Sequence, residues 1–170
     1  WDAMNDNRDA YFVTENVLVN TNLTKTLTLT RPFAKLRVIT TDLSYIEGYT
    51  KPAYVDIAYH DTEVYSSFNA VNGKLNDVMT AAPTYSFKVD KNAPYTEGYD
   101  KFDTNQTLFV DYLFAKNEQT PVNFTMTVWE AAADGSKGSK IHEHNFNTQI
   151  PIERNHLTTI IGDLLTTQAN

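Results

Sequence analysis

Two histidines, His142 and His144, are the residues whose type and spacing come closest to a metal site. They lie two positions apart in a run that alternates as a strand does, so both side chains point to one face. Two imidazoles hold a metal ion when a third ligand joins them, and His60, Asp61 and His156 are the candidates for that ligand. The simpler interpretation, which we prefer, is a pair of exposed polar residues on the solvent face of a hairpin.

Two stretches are rich in the oxygen ligands that calcium prefers, one at the start of the chain and one in a long irregular segment. Neither has the D-x-[DN]-x-[DN]-G spacing of a calcium loop, so we interpret both as solvated polar chain. Their acidic and amide residues are Asp2, Asn5, Asp6, Asn7 and Asp9 in the first and Asp90, Glu97, Asp100 and Asp103 in the second.

Catalytic motifs are missing from the chain. It has no G-x-S-x-G elbow, H-E-x-x-H pair, P-loop or G-x-G-x-x-G turn. It has no cysteine, which excludes disulfides, thiolate nucleophiles and Cys-ligated zinc. We therefore expect that the protein is not an enzyme and binds no cofactor.

Aromatic side chains are the better candidates for ligand or partner contact, because a tyrosine combines an apolar ring with a polar tip. Tyr95, Tyr99 and Phe102 lie together in the longest irregular segment, residues 90–106. Long loops in compact domains are often functional. Sugar stacking, protein contact and ordinary packing of the loop on the domain all remain open for this cluster.

Strand-like alternation of apolar and polar residues is the dominant pattern along the chain. Several short strands separated by turns favour an all-β fold, which we predict to be an antiparallel β-sandwich with Greek-key connections. The apolar faces of the predicted strands are Leu27 and Leu29; Ala34, Leu36 and Val38; Val55, Ile57 and Tyr59; Tyr85, Phe87 and Val89; Leu108, Val110, Tyr112 and Phe114; and Val122, Phe124, Met126 and Val128. Two further strands cover residues 142–146 and the terminal run that contains Thr158 to Ile161.

Turn residues fall between these strands. Asn72-Gly73 predicts a tight turn, because both residues tolerate positive φ. Residues 134–138 predict a hairpin tip. Residues 17–19 and 64–66 are candidate short edge strands, and residues 41–46 are the best candidate for a single helical turn, with Thr41 as its N-cap.

The composition suits one domain. The chain has 170 residues, of which 41% are hydrophobic, and we divide it into a lead-in over residues 1–10 and a sandwich over residues 11–170. Its net charge of −7 and lack of a basic cluster argue against a nucleic-acid partner. The same balance disfavours electrostatic docking on anionic lipid, and no apolar run reaches the ~20 residues that cross a bilayer.

Four segments, in order along the chain, resemble the fimbrillin-like surface proteins of Bacteroidales bacteria. Residues 28–38 are similar to the family's L-x-R-x-x-A-K-L-x-V strand, and residues 68–75 to its F-N-x-x-x-G-x-(L/V) turn. Residues 111–115 resemble its Y-(L/I)-(F/L)-A strand end. Residues 151–165 resemble the closing P-(V/I)-x-R-N-x-x-T-x-I-x-G-x-L-L strand, which is the most specific of the four.

This resemblance implies a cell-surface protein, anchored in the outer membrane by a segment outside residues 1–170 or built into a fimbria. It implies two sandwich domains of transthyretin-like topology, of which this chain is the C-terminal one. The implied role is structural or adhesive, with assembly through exchange of β-strands. The implied partners are other fimbrial subunits or a host protein or glycan. The alternative is a surface carbohydrate-binding module that does not polymerise and uses the loop tyrosines.

The resemblance also suggests roles for single residues. Arg31 and Arg154 are expected to pin strand ends through charge-assisted bonds to carbonyls or carboxylates. Gly162 is expected to allow a bulge or the close approach of another backbone. The terminal strand, as a site of partner contact, contains His156, Thr158, Ile160, Gly162 and Leu164.

Overall fold

The computed structural model describes residues 9–43, 51–79, 83–89 and 106–166. These residues form nine β-strands and no α-helix, which confirms the predicted all-β class. The strands are β1 (Phe33–Thr40), β2 (Tyr54–His60), β3 (Tyr65–Asn69), β4 (Lys74–Val78), β5 (Thr84–Lys88), β6 (Gln106–Phe114), β7 (Thr120–Ala131), β8 (Lys137–Ile152) and β9 (Leu157–Gly162).

The strands form a three-stranded sheet in the order β6-β1-β9, a four-stranded sheet in the order β5-β2-β7-β8, and a separate β3-β4 hairpin. Every pairing is antiparallel except that of β1 with β9, which is parallel. The three-stranded sheet is therefore mixed, whereas the sequence predicted antiparallel pairing throughout. β9 lies at the edge of this sheet, next to β1 alone.

The two sheets share one hydrophobic core, to which alternate residues of each strand contribute. Ala34, Leu36 and Val38 of β1 are buried in it, as the alternation predicted. The predicted inner faces of β2 and β7 are confirmed in full, and each of their apolar residues is at most 1% exposed. Those residues are Val55, Ile57, Tyr59, Val122, Phe124, Met126 and Val128.

The predicted face of β6 is correct at Leu108, which is fully buried in the core, and wrong for the residues that follow it. Val38 pairs with Phe109 but Ile39 pairs with Thr107, so Leu108 is the extra residue of a β-bulge. From Phe109 onward the core-facing residues are the odd-numbered ones, including Leu113. Because a one-residue shift moves a side chain to the opposite face, Tyr112 and its even-numbered neighbours lie on the outer face.

One buried polar pair crosses the core from this shifted face. The Tyr59 hydroxyl donates a hydrogen bond of 2.7 Å to Asp111 Oδ2, and both residues are at most 1% exposed. Burial and the neighbouring Asp111 raise the pKa of Tyr59 well above its usual value, so the hydroxyl keeps its proton and remains a donor.

Both predicted turns are confirmed. Gly73 has φ +69° in the turn that joins β3 to β4, and Gly135 has φ +83° at the tip between β7 and β8. Positive φ is the conformation that favours glycine, so the turn chemistry was readable from sequence. The predicted edge strand at residues 64–66 overlaps the start of β3.

Residues 25–30 and 17–19, predicted as strands, do not form them. Leu27 is 49% exposed and Leu29 is 57% exposed, and neither belongs to a sheet. Alternation creates an apolar face, but a strand also needs a neighbour for its backbone groups. The proposed helical turn at 41–46 lies partly outside the described residues. Within the described part of the chain, no helix is long and apolar enough to cross a membrane.

Candidate functional site

Three segments that are distant in the sequence meet at one end of the domain, around Arg154. The Arg154 side chain donates from Nε to the Ala115 carbonyl oxygen at 2.9 Å and from Nη1 to the Gly73 carbonyl oxygen at 3.1 Å. Its backbone N–H donates to the Lys116 carbonyl oxygen at 2.8 Å. The predicted role of Arg154, charge-assisted bonds at strand ends, is confirmed.

Aromatic rings surround this guanidinium. Its central carbon lies 5.1 Å from the Phe68 ring centroid and 5.8 Å from that of Phe12. Phe12 and Phe68 pack edge to face at 4.6 Å, and Phe68 stacks on Phe114 at 6.0 Å. Burial lowers the pKa of Arg154, with Glu118 acting in the opposite direction, but an arginine remains charged throughout the accessible pH range. We call Arg154, Phe12, Phe68 and Phe114 the arginine cluster.

Arg31 and Asn155 connect the start of β1 to the turn before β9. Arg31 Nε donates to both carboxylate oxygens of Asp9, at 2.9 and 2.7 Å, which confirms the expected carboxylate contact. Asn155 Oδ1 accepts from the Arg31 backbone N–H at 3.2 Å, and the Asn155 N–H donates to the Phe33 carbonyl oxygen at 2.7 Å. Asn155 has φ +61°, a conformation that asparagine tolerates better than most residues.

The predicted terminal strand is confirmed as β9, with Leu164 buried in the core beyond its end. Ile160 lies opposite the fully buried Val38 of β1 and packs against the core. Thr158 Oγ1 donates to the Pro151 carbonyl oxygen at 2.6 Å, which links β9 to the end of β8. His156 lies in the turn before β9, where its Nδ1 is 2.8 Å from the Arg154 carbonyl oxygen.

The predicted role of Gly162 is wrong. The register of β9 with β1 is continuous up to the Thr40–Gly162 pair, so no bulge forms. Among the described residues, a Cβ added at Gly162 meets only the Leu164 side chain, at the ordinary contact distance of 3.7 Å. Within the described ranges, no other backbone lies close to Gly162, so neither the bulge nor the close approach is found there.

Asp42, which the sequence did not single out, anchors the residues that follow β9. Its fully buried carboxylate accepts hydrogen bonds from the backbone N–H groups of Leu165 (3.0 Å) and Thr166 (2.7 Å). The hydroxyls of Thr40 and Thr166 donate to it as well. Burial opposes ionisation, but the hydrogen bonds outweigh it and lower the pKa of Asp42.

Residues 13–29, which we call the arm, form the segment between Phe12 and Thr30, two residues that pair with each other. Phe12 and Thr30 exchange backbone hydrogen bonds of 2.9 and 3.1 Å, and an ion pair between Glu15 and Lys25 joins the two flanks of the arm. Thr14 Oγ1 donates to the Ala70 carbonyl oxygen at 2.5 Å. The apolar side chains of the arm are exposed, Leu18 by 82% and Val19 by 78%.

The prediction that His142 and His144 lie on the solvent face of the hairpin is wrong. His144 pairs with Met126 and His142 with Val128, both fully buried, so the histidines are on the inner face of β8. His144 packs on Phe146, with ring centroids 4.4 Å apart. The buried Phe146, two positions further along the same strand, is the sequence signal that fixes this face.

The metal alternative finds no support in the described ranges. No group of three metal-ligating side chains occurs within them. His60 is instead near the Asn145 amide oxygen on the outer face, with Nε2 at 3.0 Å, and His156 lies in the turn before β9. The contact residues predicted in the long loop, Tyr95, Tyr99 and Phe102, lie outside the described residues.

Comparison with known proteins gives a family without an assigned activity. No curated protein matches the chain. A family model described as a family of unknown function (DUF6562) matches residues 3–170. The match includes the arm, the arginine cluster and β9. The chain therefore belongs to the DUF6562 family.

Proposed function

We propose that the protein is a structural or adhesive subunit of the cell surface that assembles with other subunits through added β-strands. The observation that carries this proposal is the arm, a segment that lies outside every sheet of the described structure and whose apolar side chains are exposed. Its partners are copies of the same chain, other fimbrial subunits, or a host surface protein or glycan.

The composition of the arm suits a strand that pairs with another chain. Its 17 residues include three valines and five threonines, and contain neither proline nor glycine. Glu15 and Lys25 are its only charges, so its net charge is zero. High β-propensity, low net charge and absence of proline are the properties of segments that add to a sheet.

Natural proteins usually protect such segments with charges, proline or a covering element. The arm shows none of these along Val17, Leu18 and Val19, which are 42%, 82% and 78% exposed. Leaving these residues in water forgoes about 1.5 to 3 kcal/mol for each side chain that a partner would cover. Assembly gives a physical reason to retain them.

A receiving edge is available within the same chain. β9 is the terminal strand of its sheet, paired with β1 on one side, and none of the described strands lies on its other side. Strand addition satisfies such an edge through backbone hydrogen bonds, while apolar side chains fill the space behind it. β9 and the arm are thus the two surfaces that we assign to assembly.

The remaining parts of the proposal follow the family resemblance. The protein is placed at the surface, held by an anchor outside residues 1–170 or by other subunits. It has no catalytic activity and uses no cofactor. Nucleic acid is not a partner, since the net charge is −7. The arginine cluster and the Asp42 anchor serve stability, because they join strand ends to the segment that contains β9.

The role of the arm in assembly is tested by sedimentation velocity, which measures the size of the protein's assemblies at increasing protein concentration. The wild type is expected to form dimers and larger species, whereas the Leu18→Asp, Val19→Asp double variant is expected to remain monomeric. The matched control is Val71→Asp, at a position 80% exposed in the β3–β4 turn, which should leave assembly unchanged. Equal assembly by the arm variant and the wild type would overturn the role of the arm.

A further inference from the structure

We propose that a cavity beside the β3–β4 hairpin binds a small, uncharged aromatic molecule that carries a hydrogen-bond acceptor. The cavity has a volume of about 310 Å³ and lies between the start of β3, the residue after β4, β5 and the end of β6. An apolar cavity of about 150 Å³ is enough for one benzene ring. The space beside the hairpin is therefore large enough for a molecule of two fused rings.

The cavity is uncharged, although the chain as a whole has a net charge of −7. None of the described residues that line it has a charged side chain. Its most buried lining residues are Val64, which is 6% exposed, and Leu113, which is 5% exposed. A carboxylate or phosphate placed against these side chains would lose hydration without gaining a cationic partner. The lining therefore favours an uncharged ligand.

The accessible part of the lining includes two tyrosine rings and a methionine. Tyr65 and Tyr85 are partly exposed, and Met79 is 37% exposed. The Met79 N–H donates to the Val64 carbonyl oxygen at 2.8 Å, which fixes the Met79 backbone beside the cavity while its unbranched side chain remains adaptable. Aromatic rings and a thioether sulfur both make favourable contacts with another aromatic ring. An aromatic ligand is thus preferred to an aliphatic one of the same size.

The Tyr85 hydroxyl supplies a hydrogen-bond donor for the ligand. Among the described residues it donates to the Met79 sulfur at 3.8 Å, and a thioether is a weak acceptor. Burial, and after it the neighbouring Asp111, raise the pKa of Tyr85, so the hydroxyl keeps its proton. A ligand oxygen would replace the sulfur with a stronger acceptor. This exchange is the polar contact that we assign to binding.

The inference does not depend on assembly through added strands, because no residue of the arm or of β9 lines the cavity. A protein that remains monomeric is still expected to bind the aromatic molecule. A protein that assembles but binds no aromatic molecule would contradict this inference alone.

The experiment is a ¹H–¹³C methyl NMR titration of the protein with 2-naphthol, compared with 2-naphthoate and decahydro-2-naphthol. 2-Naphthol is expected to bind with a Kd below about 1 mM. It is expected to shift the methyl signals of the lining residues Val64, Met79 and Leu113. 2-Naphthoate is an anion and decahydro-2-naphthol has no aromatic ring, so each is expected to bind at least about fivefold more weakly.

Tyr85→Phe is expected to weaken 2-naphthol binding about fivefold, because it removes the donor and keeps the ring. The matched control is Tyr54→Phe, which removes a hydroxyl that donates to the Gly135 carbonyl oxygen far from the cavity and should leave binding unchanged. Ser66→Trp, at an exposed position of the lining, is expected to fill the cavity and abolish binding. Melting temperatures close to that of the wild type would show that the variants are folded.

The inference would be overturned by wild-type protein that does not bind 2-naphthol. Binding of either comparison probe as tightly as 2-naphthol would also overturn it, since charge and aromaticity would then not matter. Unchanged 2-naphthol binding in Tyr85→Phe or in Ser66→Trp would place the ligand elsewhere and would overturn it as well.

Discussion

Arg154 shows how one side chain joins distant parts of the sequence. It donates to the carbonyl oxygens of Ala115 and Gly73 and lies beside the Phe68 ring. These contacts need the planar guanidinium, with donors in two directions and an apolar face for the rings. A lysine has the charge but neither the fork of donors nor the flat face.

Arg154→Lys is therefore expected to lower the free energy of unfolding by about 2 kcal/mol, from lost charge-assisted hydrogen bonds and ring contact. Urea denaturation monitored by tryptophan fluorescence measures this value. Lys74→Arg, at an exposed position in β4, is the reverse exchange and should change it by less than about 0.5 kcal/mol. Equal stability of Arg154→Lys and the wild type would show that the cluster is not a structural junction.

His144 makes stability depend on pH. Burial, and after it the neighbouring His142, lower the pKa of His144 from its ordinary value. The unfolded chain then binds a proton at higher pH than the folded one does. The contribution of His144 to stability is complete above the unfolded pKa of about 6.5 and is lost as pH falls toward the folded pKa.

We expect the wild type to lose more stability than His144→Phe when the pH is lowered from about 7.5 to about 5.5. The variant keeps a ring beside Phe146 but has no group that titrates there. Urea unfolding at both pH values gives the comparison, with His60→Gln on the outer face as the control. The same pH dependence in His144→Phe and the wild type would assign it to other groups.

At the scale of elements, β9 connects the core to the surface that we assign to assembly. Its Ile160 side chain lies on the core side of the strand, opposite Val38. Leu157 in the same strand is 50% exposed. The two positions thus offer a buried and an exposed site for the same substitution.

Ile160→Asp is expected to destabilise the domain by about 3 kcal/mol or more, because it places an unpaired carboxylate against the core. Leu157→Asp, its matched control, is expected to cost less than about 1 kcal/mol. Thermal unfolding followed by circular dichroism compares the two variants. Similar melting temperatures for both would mean that Ile160 does not face the core.

The strands whose inner face was predicted correctly, such as β2 and β7, alternate regularly and also pair with a neighbouring strand. Two errors have separate physical causes. The bulge at Leu108 reverses the face of β6, and no residue type announces a bulge there. The arm alternates well but pairs with no described strand, and pairing is not a property of one segment.

The candidate site was less accessible to sequence reasoning than the fold. Arg31 and Arg154 were identified with their kind of partner, but the particular segments that they join depend on which strands become neighbours. Asp42 lies in the segment predicted as a helical turn, which gave no reason to expect a buried anchor, and only the fold brings it to Leu165. The Greek-key, transthyretin-like topology and the contact role of Tyr95, Tyr99 and Phe102 remain predictions.

At the scale of the whole molecule, the arm and the edge of β9 are the two features that a monomeric domain does not need. An exposed segment of high β-propensity favours association with an incomplete sheet edge, and two such surfaces on one chain allow a head-to-tail series. Strand-paired assemblies of this kind dissociate slowly, because many backbone hydrogen bonds must break together.

The most direct measurement is an immunoblot of the native full-length protein taken from the cell surface, without boiling and after boiling in SDS. We predict a ladder of bands that collapses to one band on boiling, and loss of the ladder in the Leu18→Asp, Val19→Asp variant. A single band in both lanes for the wild type would contradict assembly through added strands.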